Sequence, residues 1–96
     1  MTTLQELKSQ KANILAIAKK NGAKNVRVFG SVSKGEAKRN SDIDFLVEFD
    51  KGRSLFDLIN MKLELEDLLG SEVDIVTENS LHKMIASRII REAVQL

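Results

Sequence analysis

Gly30-Ser31, ten intervening residues, and then Asp42-Ile43-Asp44-Phe45-Leu46-Val47-Glu48-Phe49 form the stretch on which the reading of this chain turns. Its second half is rich in β-branched and aromatic residues and predicts a strand over 42–49. Alternate side chains of a strand share a face at a spacing of roughly 6.6 Å, so Asp42 and Asp44 point together while Ile43 points into the core. Two bare carboxylates side by side repel. Their simplest relief is a hard divalent cation with oxygen ligands, Mg²⁺ above all, which keeps waters and substrate phosphates in its shell. Taken alone, Asp-x-Asp is better explained as a solvated strand edge or a turn.

The upstream residues change that balance. Asn25-Val26-Arg27-Val28-Phe29 alternates well enough for a strand and stops at Gly30-Ser31. Glycine lets the backbone approach a phosphate closely. The serine adds a hydroxyl and an N–H at the start of a short predicted helix, Ser33 to Lys38, where anions are favoured. A P-loop is the competing explanation for Gly30 and Gly35, but that motif needs Lys and Ser or Thr after its second glycine, and here Glu36-Ala37 follow. Further on, Glu72-Val73-Asp74-Ile75-Val76-Thr77 predicts another strand, with Asp74 on one face and Val73 and Ile75 on the other. If it lies beside the Asp42 strand, a neighbour spacing of about 4.8 Å brings Asp74 near the other two carboxylates. Three carboxylates can hold two metals about 3.5 to 4 Å apart, the arrangement that clamps attacking and leaving oxygens in phosphoryl displacement. An isolated polar residue at a strand edge explains Asp74 equally well at this point.

The pattern Gly30-Ser31-x10-Asp42-x-Asp44 resembles the signature of the DNA polymerase β-like nucleotidyltransferase superfamily, with Ser41 before the first Asp and the later Asp74 also matching. The short chain is similar to minimal nucleotidyltransferase (MNT) domain proteins, and the likeness runs from the first helix to the closing one. The resemblance implies transfer of AMP from ATP, with Asp42 and Asp44 as metal ligands bridging to the triphosphate. Asp74 would complete the metal site, two Mg²⁺ ions in all, and help deprotonate or orient the attacking hydroxyl. Gly30 and Ser31 would hold the β- and γ-phosphates, with Lys34 and Ser41 as further nucleotide contacts. Relatives often carry Arg or another polar residue after the Gly-Ser pair, whereas this chain has Val32, so Lys34 is the candidate to supply that charge. The resemblance also implies a HEPN-domain toxin as partner, a tyrosine of that partner as acceptor, and an antitoxin role. The alternative is a non-catalytic nucleotide-binding module that neutralises a partner by occlusion; intact carboxylates favour the enzyme.

Composition agrees with this reading without producing it. Ninety-six residues suit one domain, 1–96, with one core. Fifteen basic against fourteen acidic residues leave a net charge of +1, and four Phe without Trp or Tyr offer few platforms for stacking bases, so no direct nucleic-acid partner is expected. The absence of Cys excludes a disulfide frame and thiolate-bound zinc. No apolar run approaches the roughly 20 residues of a membrane span, and no signal-peptide core opens the chain, so the expected location is cytoplasmic.

The remaining segments read as scaffold. Thr3 with Glu6 forms a capping box for a helix whose apolar face is Leu4, Leu7, Ile14, Leu15 and Ala18, ending at Gly22. Ser54 caps a long helix with Leu55, Leu58, Ile59, Leu65, Leu68 and Leu69 as its buried side, stopped by Gly70. After Ser80 a last helix carries Leu81, Met84, Ile85, Ile89 and Val94, although Ile89, Ile90 and Val94 together exceed what one buried stripe needs. The predicted class is α/β of the α+β type: a nucleotidyltransferase fold, a small mixed sheet with helices packed on it, in the order αβαβαβα. His82 reads as a solvated residue and Lys51-Gly52-Arg53 as a turn; Lys34, Lys38 and Arg39 form a basic cluster that suits either a solvated face or a phosphate contact.

Overall fold

The structure is a computed structural model that describes residues 4–30, 43–81 and 83–96, with the side chains of 83–85 set aside. The expected helix Ser33 to Lys38, together with Thr3, Ser31, Lys34, Ser41, Asp42 and His82, lies outside the described residues.

Strand β2, Ile43–Phe49, is the centre of the molecule. Ile43, Phe45 and Val47 are buried on one face and Leu46 is buried on the other, as a strand covered on both sides requires. It pairs antiparallel with β1, Ala23–Phe29, and parallel with β3, Val73–Thr77. A two-residue strand β4, Val94–Gln95, pairs antiparallel with β1 and completes a mixed sheet in the order β3-β2-β1-β4. The parallel β2–β3 pair demands a crossover, and helix α3, Leu55–Leu69, supplies it. Helices α1, Leu4–Ser9, and α2, Lys11–Lys20, precede the sheet. With α3 they cover one face: Leu7, Ile14, Ala18, Met61 and Leu65 form a single apolar cluster with Val26, Val28, Ile43, Phe45, Val47, Val73 and Ile75. A 3-10 turn, Glu78–Ser80, and helix α4, Lys83–Glu92, lead to β4.

The strands and the class of fold agree with the sequence pattern, while the order αβαβαβα needs two corrections and the expected buried side of the long helix a third. First, the opening helix is two helices. The Ser9 hydroxyl donates to the Glu6 carbonyl at 2.6 Å, a local bond that competes with the backbone ladder, and Gln10 leaves helical geometry at φ −99°, ψ 12°. Second, Val94 lies in β4 and not in the last helix: Val94 faces Val28, Gln95 faces Arg27, and the Leu96 N–H donates to Val26 O at 3.1 Å. That pairing explains why the apolar residues near the C-terminus were too many for one helical stripe. Third, Leu55 and Ile59 are not on the buried side of α3. The inward stripe is Leu58, Met61, Leu65, Leu68 and Leu69, and Ile59 sits about 100° round the axis from Leu58. Leu55, Phe56, Ile59 and Leu63 are 68, 82, 42 and 57% exposed.

The ends of α3 are set by local chemistry. The Ser54 hydroxyl accepts from Phe56 N–H, and Asp57 accepts from Ser54 N–H at 2.9 Å, closing a capping box; Gly70 ends the helix at φ 66°, where only glycine is unstrained. The Ser54 N–H, followed by Arg53, holds the Asp57 carboxyl below its usual 3.8. Two more carboxylates tie the helix down. Glu64 accepts from Asn21 and Lys20, each at 3.2 Å, and these bonds, Asn21 first, lower its pKa from 4.5. Glu66 accepts from Lys62 Nζ and from Val73 N–H, each at 3.0 Å, and those contacts, Lys62 first, lower it likewise. A depressed carboxylate stabilises the fold above its unfolded pKa, and that contribution is lost as pH falls through the folded one. Thermal melts should therefore show Glu66→Gln less stable than wild type at pH 7, with the gap closing as pH drops through 4.5 and below. A gap that stays constant from pH 7 to pH 3 would show that the charge of Glu66 contributes nothing.

Candidate functional site

The side of the sheet away from α1, α2 and α3 carries the polar residues of the strands. Ile43 and Phe45 point into the core, so Asp44 between them points out; Val73 and Ile75 do the same to Asp74. In the parallel β2–β3 ladder Asp44 and Asp74 are direct partners. Two carboxylates thus stand on neighbouring strands, about 4.8 Å apart in backbone spacing, on one face. Asp44 is half-buried and Asp74 exposed. Like charges opposite one another in a sheet are destabilising, and the core gains nothing from them. Hard anionic oxygens converging from two strands form the donor set that Mg²⁺ selects. Asp42, the third expected ligand, lies outside the described residues, so two of the three expected carboxylates are brought together here. Among the described residues no group of three metal-binding side chains occurs.

Gly30 ends β1 directly beside this pair. Its neighbour Phe29 faces Asp44 in the antiparallel ladder. The glycine takes φ 76°, and a Cβ built on it would run into an Asp44 carboxylate oxygen and lie 3.4 Å from its Cγ. Glycine is needed here twice, for the left-handed backbone and for the close approach. The turn that opens the Gly-Ser pair and the carboxylate of β2 are thereby one structural unit. Ser31, Lys34 and Ser41, the other expected nucleotide contacts, fall outside the described residues.

Sequence reading passed over Arg27, treating it as one residue of an alternating strand. It lies on the carboxylate side, facing Leu46 across the β1–β2 ladder, and is only 8% exposed. Its Nη1 donates to Glu78 at 2.9 Å and its Nε to Asn25 O at 3.3 Å, while Nη2 is buried without a partner among the described residues. A charged residue between Val26 and Val28 was the available signal. Asn25, at φ 51°, makes the β-bulge that shifts the register between Lys24 and Arg27 and so sets which way the guanidinium points. A cleft of about 390 Å³ opens at the far end of β2 and β3, lined by residues that include Glu48, Thr77 and Glu78. The candidate chemistry belongs at the other end, where strand register, and not concavity, forces two like charges together.

The profile of the nucleotidyltransferase domain family matches residues 11–96. The chain belongs to that family. It is a nucleotidyltransferase, an enzyme whose substrate is a nucleotide. A relative from Methanocaldococcus jannaschii, MJ0435, provisionally named a protein adenylyltransferase, is 49% identical over 86 residues, covering 90% of this chain and 92% of its own. Protein adenylyltransferase MntA of Thermococcus cleftensis is 42% identical over 99 residues, covering 98% of this chain and 96% of its own. Among solved structures, one provisionally described as a minimal nucleotidyltransferase superposes with a TM-score of 0.88 at 44% identity, covering 99% of this chain and 97% of that one. A toxin-antitoxin structure with AMP-PNP superposes at 0.75 with 25% identity, covering 88% of this chain and 70% of that one. The minimal nucleotidyltransferase fold expected from the sequence is the fold of this chain. Among the described residues no helix is long and apolar enough to cross a membrane.

Proposed function

We propose that this nucleotidyltransferase moves AMP from ATP to a hydroxyl of a toxin protein, a HEPN-domain partner with tyrosine as acceptor, and so acts as its antitoxin. The observation that carries the reading is the in-register pair Asp44 and Asp74 with Gly30 against Asp44. Support for a protein acceptor comes from the names of the relatives, and support for a toxin partner from the toxin-antitoxin structure with AMP-PNP. In the transfer, the acceptor oxygen attacks the α-phosphorus and the bond from that phosphorus to the bridging oxygen of the β-phosphate breaks. Pyrophosphate leaves with the electron pair. The hydroxyl proton passes to Asp74, which is exposed at the edge strand and open to a protein acceptor. Asp42, Asp44 and Asp74 would hold Mg²⁺, two ions in the full site, which supply charge neutralisation to the triphosphate and acidity to the attacking hydroxyl. Gly30 and Ser31 would present backbone N–H groups to the β- and γ-phosphates, with Lys34 and Ser41 beside them.

The test is mass and activity of the partner. After brief exposure to this protein with ATP and Mg²⁺, the partner should be heavier by whole AMP units and remain inactive once the two are separated, because a covalent change outlasts dissociation. A partner of unchanged mass whose activity returns on separation would overturn the proposal in favour of occlusion, and an Asp44→Asn variant would then neutralise as well as wild type.

A further inference from the structure

Strand β3 carries Asp74 at the edge of the sheet, with β2 on one side only. An edge strand has no second ladder, so its outward main-chain groups must find partners elsewhere. At Val73, the residue before Asp74, both partners come from helix α3. Lys62 Nζ donates to Val73 O at 2.6 Å, and Val73 N–H donates to Glu66 Oε2 at 3.0 Å. Lys62 also donates to that same Glu66 oxygen at 3.0 Å, which closes a ring through one residue of the strand. An ion pair between residues four apart on a helix surface contributes little by itself. Here both members also reach off the helix and grip the main chain of β3.

That residue sets the frame from which Asp74 projects. The Val73 C=O and the Asp74 N–H share one planar peptide unit, so holding the carbonyl fixes the plane that precedes the Asp74 Cα. The Val73 side chain is buried in the core, and β2 holds the strand from the other side, where Ile43 N–H donates to Glu72 O at 2.9 Å. Asp44 needs no such support, because its strand has a neighbour on both sides. We propose that Lys62 and Glu66 are positioning residues for the transfer: acting through Val73, they hold the Asp74 carboxylate in register with Asp44. The inference rests on the role proposed above for Asp74 as metal ligand and proton acceptor. Helix α3 packs on the opposite face of the sheet from the carboxylates, so neither side chain touches the nucleotide. Their effect should therefore fall on the rate of the chemical step and spare the binding of ATP. A shift of about 1 Å at a reacting centre costs about a hundredfold in rate, which sets the upper scale of what loosening Asp74 can do.

Lys62→Met and Glu66→Met each remove one arm of the ring at nearly constant volume. Well below the melting temperature, each should lower kcat for labelling of the protein partner by about tenfold or more, at an unchanged KM for ATP. Glu66→Gln keeps an acceptor for Val73 N–H and should recover most of the wild-type kcat. Glu64→Met is the control for stability alone, because Glu64 ties the same helix to Asn21 and Lys20 and not to β3. It should lower the melt and leave kcat unchanged. A second readout needs no turnover: in the unliganded protein, NMR hydrogen exchange at Asp74 N–H, taken relative to Phe45 N–H on β2, should speed up in both Met variants and not in Glu64→Met. Met variants with wild-type kcat would overturn the inference, as would a fall in kcat matched by Glu64→Met, a Glu66→Gln as slow as Glu66→Met, or unchanged exchange at Asp74. Failure of the proposed function would look different: Asp74→Asn would then label the partner at the wild-type rate, and the inference would fall with it.

Discussion

Asp44→Asn should lower AMP transfer to the protein partner by at least about a thousandfold, equivalent to about 4 kcal/mol of transition-state stabilisation, while leaving the fold in place. The substitution removes one negative charge and keeps the side-chain volume, so strand β2 retains its core contacts through Ile43, Phe45 and Val47. What is lost is half of a carboxylate pair held in register across two strands. A neutral amide is a poor ligand for Mg²⁺ and stabilises little of the charge that a triphosphate carries into the site. Asp42→Asn should behave alike. Labelled ATP, Mg²⁺ and the partner give the activity, and a thermal melt of the same sample gives the fold. Wild-type labelling by the Asp44 variant would sink the assignment of these carboxylates to metal and nucleotide. A parallel loss of melting temperature would show that Asp44 is structural.

How much of this was legible beforehand depends on how local each feature is. Strands β2 and β3 and the caps at Ser54 and Gly70 follow from residues adjacent in sequence, and they stand where the pattern put them. The meeting of Asp44 with Asp74 was visible only as a condition, because the alternation within each strand fixes a face but not a neighbour. Parallel pairing through α3 supplied that neighbour. Features set wholly by tertiary pairing left no local trace. Strand β4 exists only because Val28 and Arg27 offer it an edge. Leu55 and Ile59 look like core in a helix read alone; only the position of the sheet decides that Met61 faces in and they face out. Arg27 is another such case, a charge in an apolar strand whose anchoring partner Glu78 lies fifty-one positions on in sequence.

Gly30→Ala should damage both stability and activity, for a reason that separates this glycine from an ordinary turn residue. At φ 76° any side chain adds strain of order 1 kcal/mol, and here the new methyl group also meets the Asp44 carboxylate. The combined cost should be about 1 to 3 kcal/mol, read as a lower melting temperature. Either the β1 turn or Asp44 must move, and a displacement near 1 Å at a reacting centre costs about a hundredfold in rate. Removing the obstacle distinguishes the two effects. In Gly30→Ala combined with Asp44→Ala, the carboxylate is gone, so the collision is relieved and part of the lost stability should return, leaving only the backbone strain. Activity should not return, because the proposed metal ligand has been removed with the clash. If Gly30→Ala alone kept wild-type kcat/KM, the turn and the carboxylate would not act as one unit. If the double variant melted no higher than Gly30→Ala, the close approach would contribute nothing to the cost, and only the left-handed backbone would explain why glycine stands there.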